Sequence, residues 1–296
     1  MLARWLVLVA LARSARGYAG LQGVRVARVG RPGATVDLGE ELRAAATSQP
    51  ALCILGTYAA DFNCVEYAQR VAHYLPKLRE RNVGRVLFVV NGKPEAATAL
   101  AELVNLPADV ELFADPGGVA GRAFGVSRGW RPDDAELSSY VKLFAMLFGL
   151  GAWATLPAVI GGYLGNPFVP QPWIESALAQ GQRAGRWPNT ALVLDEATGA
   201  VVENKFAALP LVGGWPRRPL ELATLRLQNM LDISIRNWQA LRPEDGHLRV
   251  LTQLGGCVVL GADGVPLYEH RDPGICAVCN FESLLSQLER KSARKL

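Results

Sequence analysis

The sequence predicts an α/β fold: a thioredoxin-like sheet with flanking helices, and a long mixed insertion before a C-terminal β-hairpin and helix. Three observations predict it. Short apolar runs alternate with segments of helical period through the first half of the chain. An Asp-Gly turn at Asp263-Gly264 separates two apolar runs near the end, a strong hairpin signal. Between these parts, residues 131–250 lose the alternation. Half of the 296 residues are apolar and a fifth are charged, which suits a folded chain with a sizeable core.

Residues 38–47 read as a short helix. Residues 52–55, closed by Gly56, form a strand-length apolar run. Asp61 then opens a helical pattern carried by Val65, Ala68, Val71, Ala72, Leu75 and Leu78, with its carboxylate as the N-cap. Pro76 inside that pattern is expected to kink or shorten the helix. Residues 86–90 form a second strand, 94–104 a helix with Pro94 near its start, and 110–113 a third strand. The turn Asp115-Pro116-Gly117-Gly118 precedes a short helix ending at Phe124. Residues 191–206 read as a hairpin with Gly199 in its turn, 219–238 as a helix, 255–260 and 265–268 as the closing hairpin, and 281–288 as the final helix. With 131–250 set aside, the order is that of thioredoxin.

Two segments stand outside this scheme. Residues 1–36 read as a targeting segment: Arg4 precedes the apolar run from Trp5 to Ala12, Gly17 and Ala19 offer a cleavage site, and no acid occurs before Asp37. This layout fits a secretory signal and also an organelle transit peptide. Residues 143–165 carry no charge over 23 positions, long enough to span a bilayer. Pro157 and five glycines in that stretch equally suit a broken helical pair on the domain or a lodgement on a membrane surface. The net charge of +4 comes without a basic, aromatic-rich run, which argues against nucleic acid as a partner. Residues 188–190 and 209–219, rich in Pro, Gly, Trp and Arg, read as a rigid loop.

Five cysteines, Cys53, Cys64, Cys257, Cys276 and Cys279, carry the chemistry. An odd number in a long chain argues against a disulfide scaffold. Cys64 lies in the first turn of its helix, where unpaired N–H groups and the helix dipole favour a thiolate; Asp61 and Glu66 oppose it. Cys276 and Cys279 form a C-x-x-C motif placed at the start of the last helix. The topology brings it to the sheet edge that holds Cys64, about two strand spacings or ~10 Å away, farther than the ~7 Å between Cα atoms that a disulfide spans. Cys53 and Cys257 lie inside strands, where burial makes them inert. Arg122 and Arg128 offer cations near the thiol, and His270 a base for Cys276. Each of these cysteines also has a plain alternative as a small packing residue.

Three stretches carry a resemblance: Leu55-Gly56-Thr57 through Phe62-Asn63-Cys64; Ala114-Asp115-Pro116-Gly117-Gly118 through Phe124-Gly125-Val126; and Gln253-Leu254-Gly255-Gly256-Cys257 through Tyr268-Glu269-His270-Arg271-Asp272. Together they resemble the AhpC/TSA-related, peroxiredoxin-like proteins, closest to the peroxiredoxin-like-2 branch and its plastid and cyanobacterial relatives. The likeness covers roughly residues 40–130 and 250–290. Where peroxiredoxins carry Thr three residues before the reactive cysteine, this chain has Asp61.

The resemblance implies a thioredoxin-like domain over 37–130 and 251–290. It also implies a thiol-dependent oxidoreductase in which Cys64 attacks a peroxide or protein disulfide and Cys276 or Cys279 resolves the product. Electrons would come from a thioredoxin or glutathione system; no metal or organic cofactor is implied, and the plastid is favoured over the secretory pathway. A second reading is a non-catalytic binding module that docks a partner or membrane surface through the insertion.

Overall fold

The computed structural model describes residues 19–188 and 190–293. The targeting features at Arg4, Trp5 to Ala12 and Gly17 lie outside them.

The apolar runs become strands because every residue of Ala51–Leu55 (β3) is buried, as are all but the first of Arg85–Val90 (β4). With Val110–Ala114 (β5) they make three parallel strands in the order β5-β4-β3. Gly256–Leu260 (β8) adds antiparallel to β3, and Pro266–Arg271 (β9) antiparallel to β8. On the other side come Arg25–Arg28 (β1) and Thr35–Asp37 (β2), completing a seven-stranded sheet ordered β2-β1-β5-β4-β3-β8-β9. The small hairpin of Leu192–Leu194 (β6) and Val201–Asn204 (β7) stands apart. The mixed sheet with helices on both faces is a thioredoxin-like fold.

Side chains alternate across the sheet. Leu52, Ile54, Phe88, Cys257 and Val259 face the helices Phe62–Glu80 (α2) and Pro94–Val104 (α3). Cys53, Leu55, Leu87, Val89 and Val258 face Leu38–Ala45 (α1) and the helical turn Val119–Phe124 (α4). Asp61 caps α2, accepting from the Asn63 N–H at 3.0 Å. Pro76 does not end the helix early, contrary to one expectation: α2 runs on to Glu80. Pro76 is exposed, so the Ala72 carbonyl that its missing N–H leaves free can be met by water.

The folded part begins earlier than residue 37. Val26 is buried, and Arg28 bridges Glu41 at 2.7 Å and Glu111 at 2.9 Å. Arg25–Arg28 and Thr35–Asp37 are therefore strands of the sheet, inside the stretch read from sequence as a targeting segment.

Residues 139–252 pack as helices onto the α2–α3 face and share its core: Tyr163, Trp173, Leu222, Met230 and Leu241 belong to the same cluster as Ile54 and Phe88. The uncharged stretch breaks into Ser139–Leu147 (α5), the short helix Thr155–Val159 and a wide helical turn, Ile160–Leu164. Among the described residues no helix is long and apolar enough to cross a membrane. Next come Trp173–Arg183 (α6) and a rod of helical turns over 219–241. The chain closes with Phe281–Ala293 (α7).

A buried ion triad ties the insertion to the core. Glu66 accepts from Arg70 on its own helix and from Arg226 of the rod, the latter at 2.8 Å. Both guanidiniums lie over the Trp173 ring, at 4.8 and 5.0 Å from its centroid. Arg226 also donates to the Gly162 carbonyl.

Candidate functional site

Strands β3 and β9 run parallel with β8 between them, so their C-terminal ends share one edge of the sheet. The first turns of α2 and the 272–280 loop meet at that edge, as the topology predicts. Asn63 makes the join. Its side chain accepts from the Cys276 N–H at 2.6 Å and donates to Asp272 Oδ2 at 3.2 Å and to the Gly274 carbonyl at 3.4 Å. One turn on, the Tyr67 hydroxyl donates to Asp272 Oδ1 at 2.6 Å and accepts from the Cys279 N–H at 3.3 Å. Arg70, a further turn on, donates to the Cys279 carbonyl at 2.6 Å. Gly255 leaves room for this network: a Cβ there would stand 2.9 Å from Asp272 Oδ2.

Cys64 sits in the first turn of α2 as predicted, but not as an accessible thiolate. Its side chain is fully buried, with the sulfur against Gly56, where an added Cβ would come within 3.2 Å of it. Burial first, and the Asp61 carboxylate second, push the thiol well above its ordinary pKa; the Thr57 N–H offsets this only in part. Asp61 is itself pushed up to about 6 by burial. The favourable helix position is outweighed by desolvation and a neighbouring carboxylate.

The C-x-x-C motif precedes the last helix instead of opening it. Asn280 caps α7, accepting from the Ser283 N–H at 2.7 Å, and Cys279 lies one residue before the cap. Cys276 is partly exposed and has a φ of +60°, a left-handed backbone that few residues other than Gly, Asn and Asp adopt. Burial and the Glu66 carboxylate raise its thiol pKa.

Cys279 behaves differently. Its sulfur lies 3.4 Å from Tyr268 Oη. Burial opposes ionisation, but hydrogen bonding with Cys257 and Tyr268 and the positive His270 and Arg70 outweigh it, so the thiol pKa falls. His270 Nε2 is 3.3 Å from Asp272 Oδ1. Burial lowers its pKa, while Asp272 and Cys279 raise it, and the net direction is up. Tyr268 and His270 project from one face of β9 toward Cys257, which stands opposite His270 in the ladder. The His270 charge acts on the Cys279 thiol and is not among the main groups that shift Cys276.

Cys53 is buried, which pushes its thiol up to about 12, and the Cys257 thiol is also raised, by burial and by Cys279. Arg122 and Arg128 do not approach the cysteines: Arg122 donates to the Gly117 carbonyl at 2.5 Å and Arg128 pairs with Asp133. Sequence reasoning missed Asn63, Tyr67, Arg70 and Asp272. A signal was present, because Asn63, Glu66, Tyr67 and Arg70 recur at helical spacing on the buried face of α2, where polar residues need partners.

The fold and this edge define a thioredoxin-like protein with a buried thiol cluster. The AhpC/TSA antioxidant enzyme family matches residues 70–274, and the chain belongs to that family. The matched span contains the whole 131–250 segment and Cys257; Cys64, Cys276 and Cys279 fall outside it. No curated protein and no solved structure matches the chain.

Proposed function

We propose that the protein is a thiol-dependent oxidoreductase of the peroxiredoxin-like class that reduces a peroxide or a protein disulfide, with Cys279 as its attacking thiol. The observation that carries this is the electrostatic setting of Cys279, the cysteine whose thiol pKa falls while those of Cys53, Cys64, Cys257 and Cys276 rise. Family membership supports the reaction class.

With a peroxide, the Cys279 thiolate attacks one oxygen and the O–O bond breaks. Cys279 becomes a sulfenic acid, and the leaving alkoxide or hydroxide takes a proton, which the His270 imidazolium supplies. The Cys276 thiol then attacks the sulfenic sulfur, expels water and closes a Cys276–Cys279 disulfide. A thioredoxin-type dithiol or glutathione supplies two electrons and two protons to reopen it. Tyr268, whose hydroxyl lies 3.4 Å from the buried sulfur, and His270 are both part-exposed. Cys64, first on sequence grounds, becomes a packing residue against Gly56.

The test is alkylation at pH 6.5 with each site mapped by mass spectrometry, followed by peroxide consumption. Cys279 labels before Cys64, and a Cys276–Cys279 disulfide forms with stoichiometric peroxide. Faster labelling of Cys64 returns the attacking role to it, and failure to consume peroxide or a disulfide substrate rejects the enzyme reading.

One observation favours a second reading, a docking module. The insertion exposes Phe144, Phe148, Trp153, Leu164 and Phe168, the last 86% exposed. Such a ridge marks a partner or membrane surface. Co-sedimentation with lipid vesicles, compared with Trp153→Ala, tests it. The family resemblance and the absence of acids from residues 1–24 support plastid delivery, with the secretory pathway as the alternative. Localisation of a fluorescent fusion decides between them.

A further inference from the structure

A cleft of about 580 Å³ lies away from the cysteines, between the core and the start of the insertion. Arg122, Arg128, Lys142, His247 and Arg249 line it, and no Asp or Glu does. At its wall Lys142 is 6% exposed, yet its ammonium meets a backbone carbonyl, that of Asp134, and pairs with no carboxylate among the described residues. A buried ammonium has three donors and wants anionic company.

A second polar group points the same way. Gln253 also lines the cleft and is 3% exposed. Its Oε1 accepts from Arg122 at 3.3 Å, while its Nε2 has no partner. A buried amide N–H without an acceptor is costly unless something else supplies one. The first turn of α5 adds its positive end, with Ser139 at the rim.

Where carboxylates do occur nearby, they answer this field from outside. Asp133 bridges Arg128 and is held below the usual carboxylate range by that hydrogen bond, with Arg249 and Lys142 contributing.

We propose that this cleft binds a small polyanion, held by the Arg122, Arg128 and Arg249 guanidiniums at its mouth and by Lys142 and the Gln253 amide within. Its volume falls in the range of small-molecule sites, and planar guanidinium forks suit phosphate and carboxylate oxygens alike. Met146, Leu254 and Ile275 form an apolar wall between the cleft and Cys276. Ligand binding here and thiol chemistry there can therefore fail independently.

The experiment is calorimetric titration of the full chain with pyrophosphate and, separately, citrate at matched ionic strength. One of the two binds saturably, and which binds tighter separates a phosphate from a carboxylate ligand. Arg249→Gln, at an exposed position, weakens binding about tenfold, the worth of one charge-assisted contact. Asp133→Asn, also exposed, releases Arg128 and tightens binding, a gain that misfolding cannot imitate. Absence of saturable heat with both probes, or affinities unchanged in both variants, overturns the proposal.

Discussion

Cys64 and Cys279 invite comparison because burial is common to both. Each side chain is fully buried, and each is tied to the first turns of α2, Cys64 by position and Cys279 through Arg70 and Tyr67. Cys64 has the helix N-terminus; Cys279 lies outside any helix. Yet the Cys64 thiol moves up and the Cys279 thiol down. The difference is the company. Asp61 stands beside one sulfur, while Tyr268, His270 and Arg70 surround the other. Within one domain, placed charges and donors decide the direction that burial alone would not.

The harshest test of the contrast removes each sulfur. Cys279→Ser reduces peroxide or disulfide turnover at least about a hundredfold, as loss of a nucleophile does, whereas Cys64→Ser stays within about twofold; a coupled reductase assay reads both. Next in size is Glu66→Gln, which strands Arg70 and Arg226 in the interior. Breaking a buried ion cluster costs about 3–5 kcal/mol, measured by urea denaturation.

Asp61→Asn tests the Cys64 side. The Asp61 pKa of about 6, against an ordinary 3.8, means that its stabilising contribution is complete below about pH 4 and is lost as pH rises through 6. Asn keeps the cap without the charge. The variant should gain up to roughly 3 kcal/mol at pH 7.5 relative to its value at pH 4, seen by denaturation at both pH values, and Cys64 should titrate lower.

His270→Asn removes the cation from Cys279. Alkylation of that thiol at pH 6.5 slows about tenfold, one pKa unit's worth, and its pH profile moves to higher pH. Tyr268→Phe, which deletes one hydrogen-bonding hydroxyl, gives the smallest change, a few-fold in the same assay.

The sheet was largely legible in the sequence because β3 and β4 are apolar throughout and the Asp263-Gly264 turn marks the β8–β9 hairpin. The convergence of Cys276 on the α2 edge followed from topology. β1 escaped notice because four residues with arginine at both ends look like basic leader sequence; the Glu111 partner of Arg28 lies 83 positions along the chain. The protonation of Cys64 was illegible for a related reason. Helix position can be read from spacing, but the sealing of a sulfur against Gly56 and the raised Asp61 pKa depend on three-dimensional packing. The polar stripe Asn63, Glu66, Tyr67 and Arg70 was readable in principle, yet its partners Asp272, Arg226 and Cys279 lie more than 150 positions away.

The pairing of β1 with β5 sets a limit on how the N-terminus can be trimmed. A peptidase cutting near Ala19 leaves all seven strands in place. One cutting between Val29 and Val36 strips β1 away, takes Arg28 from Glu41 and Glu111, and bares the outer rim of β5. An unshielded rim of that kind zips onto other chains. A cut that keeps the seven-stranded sheet whole therefore has to fall before Arg25.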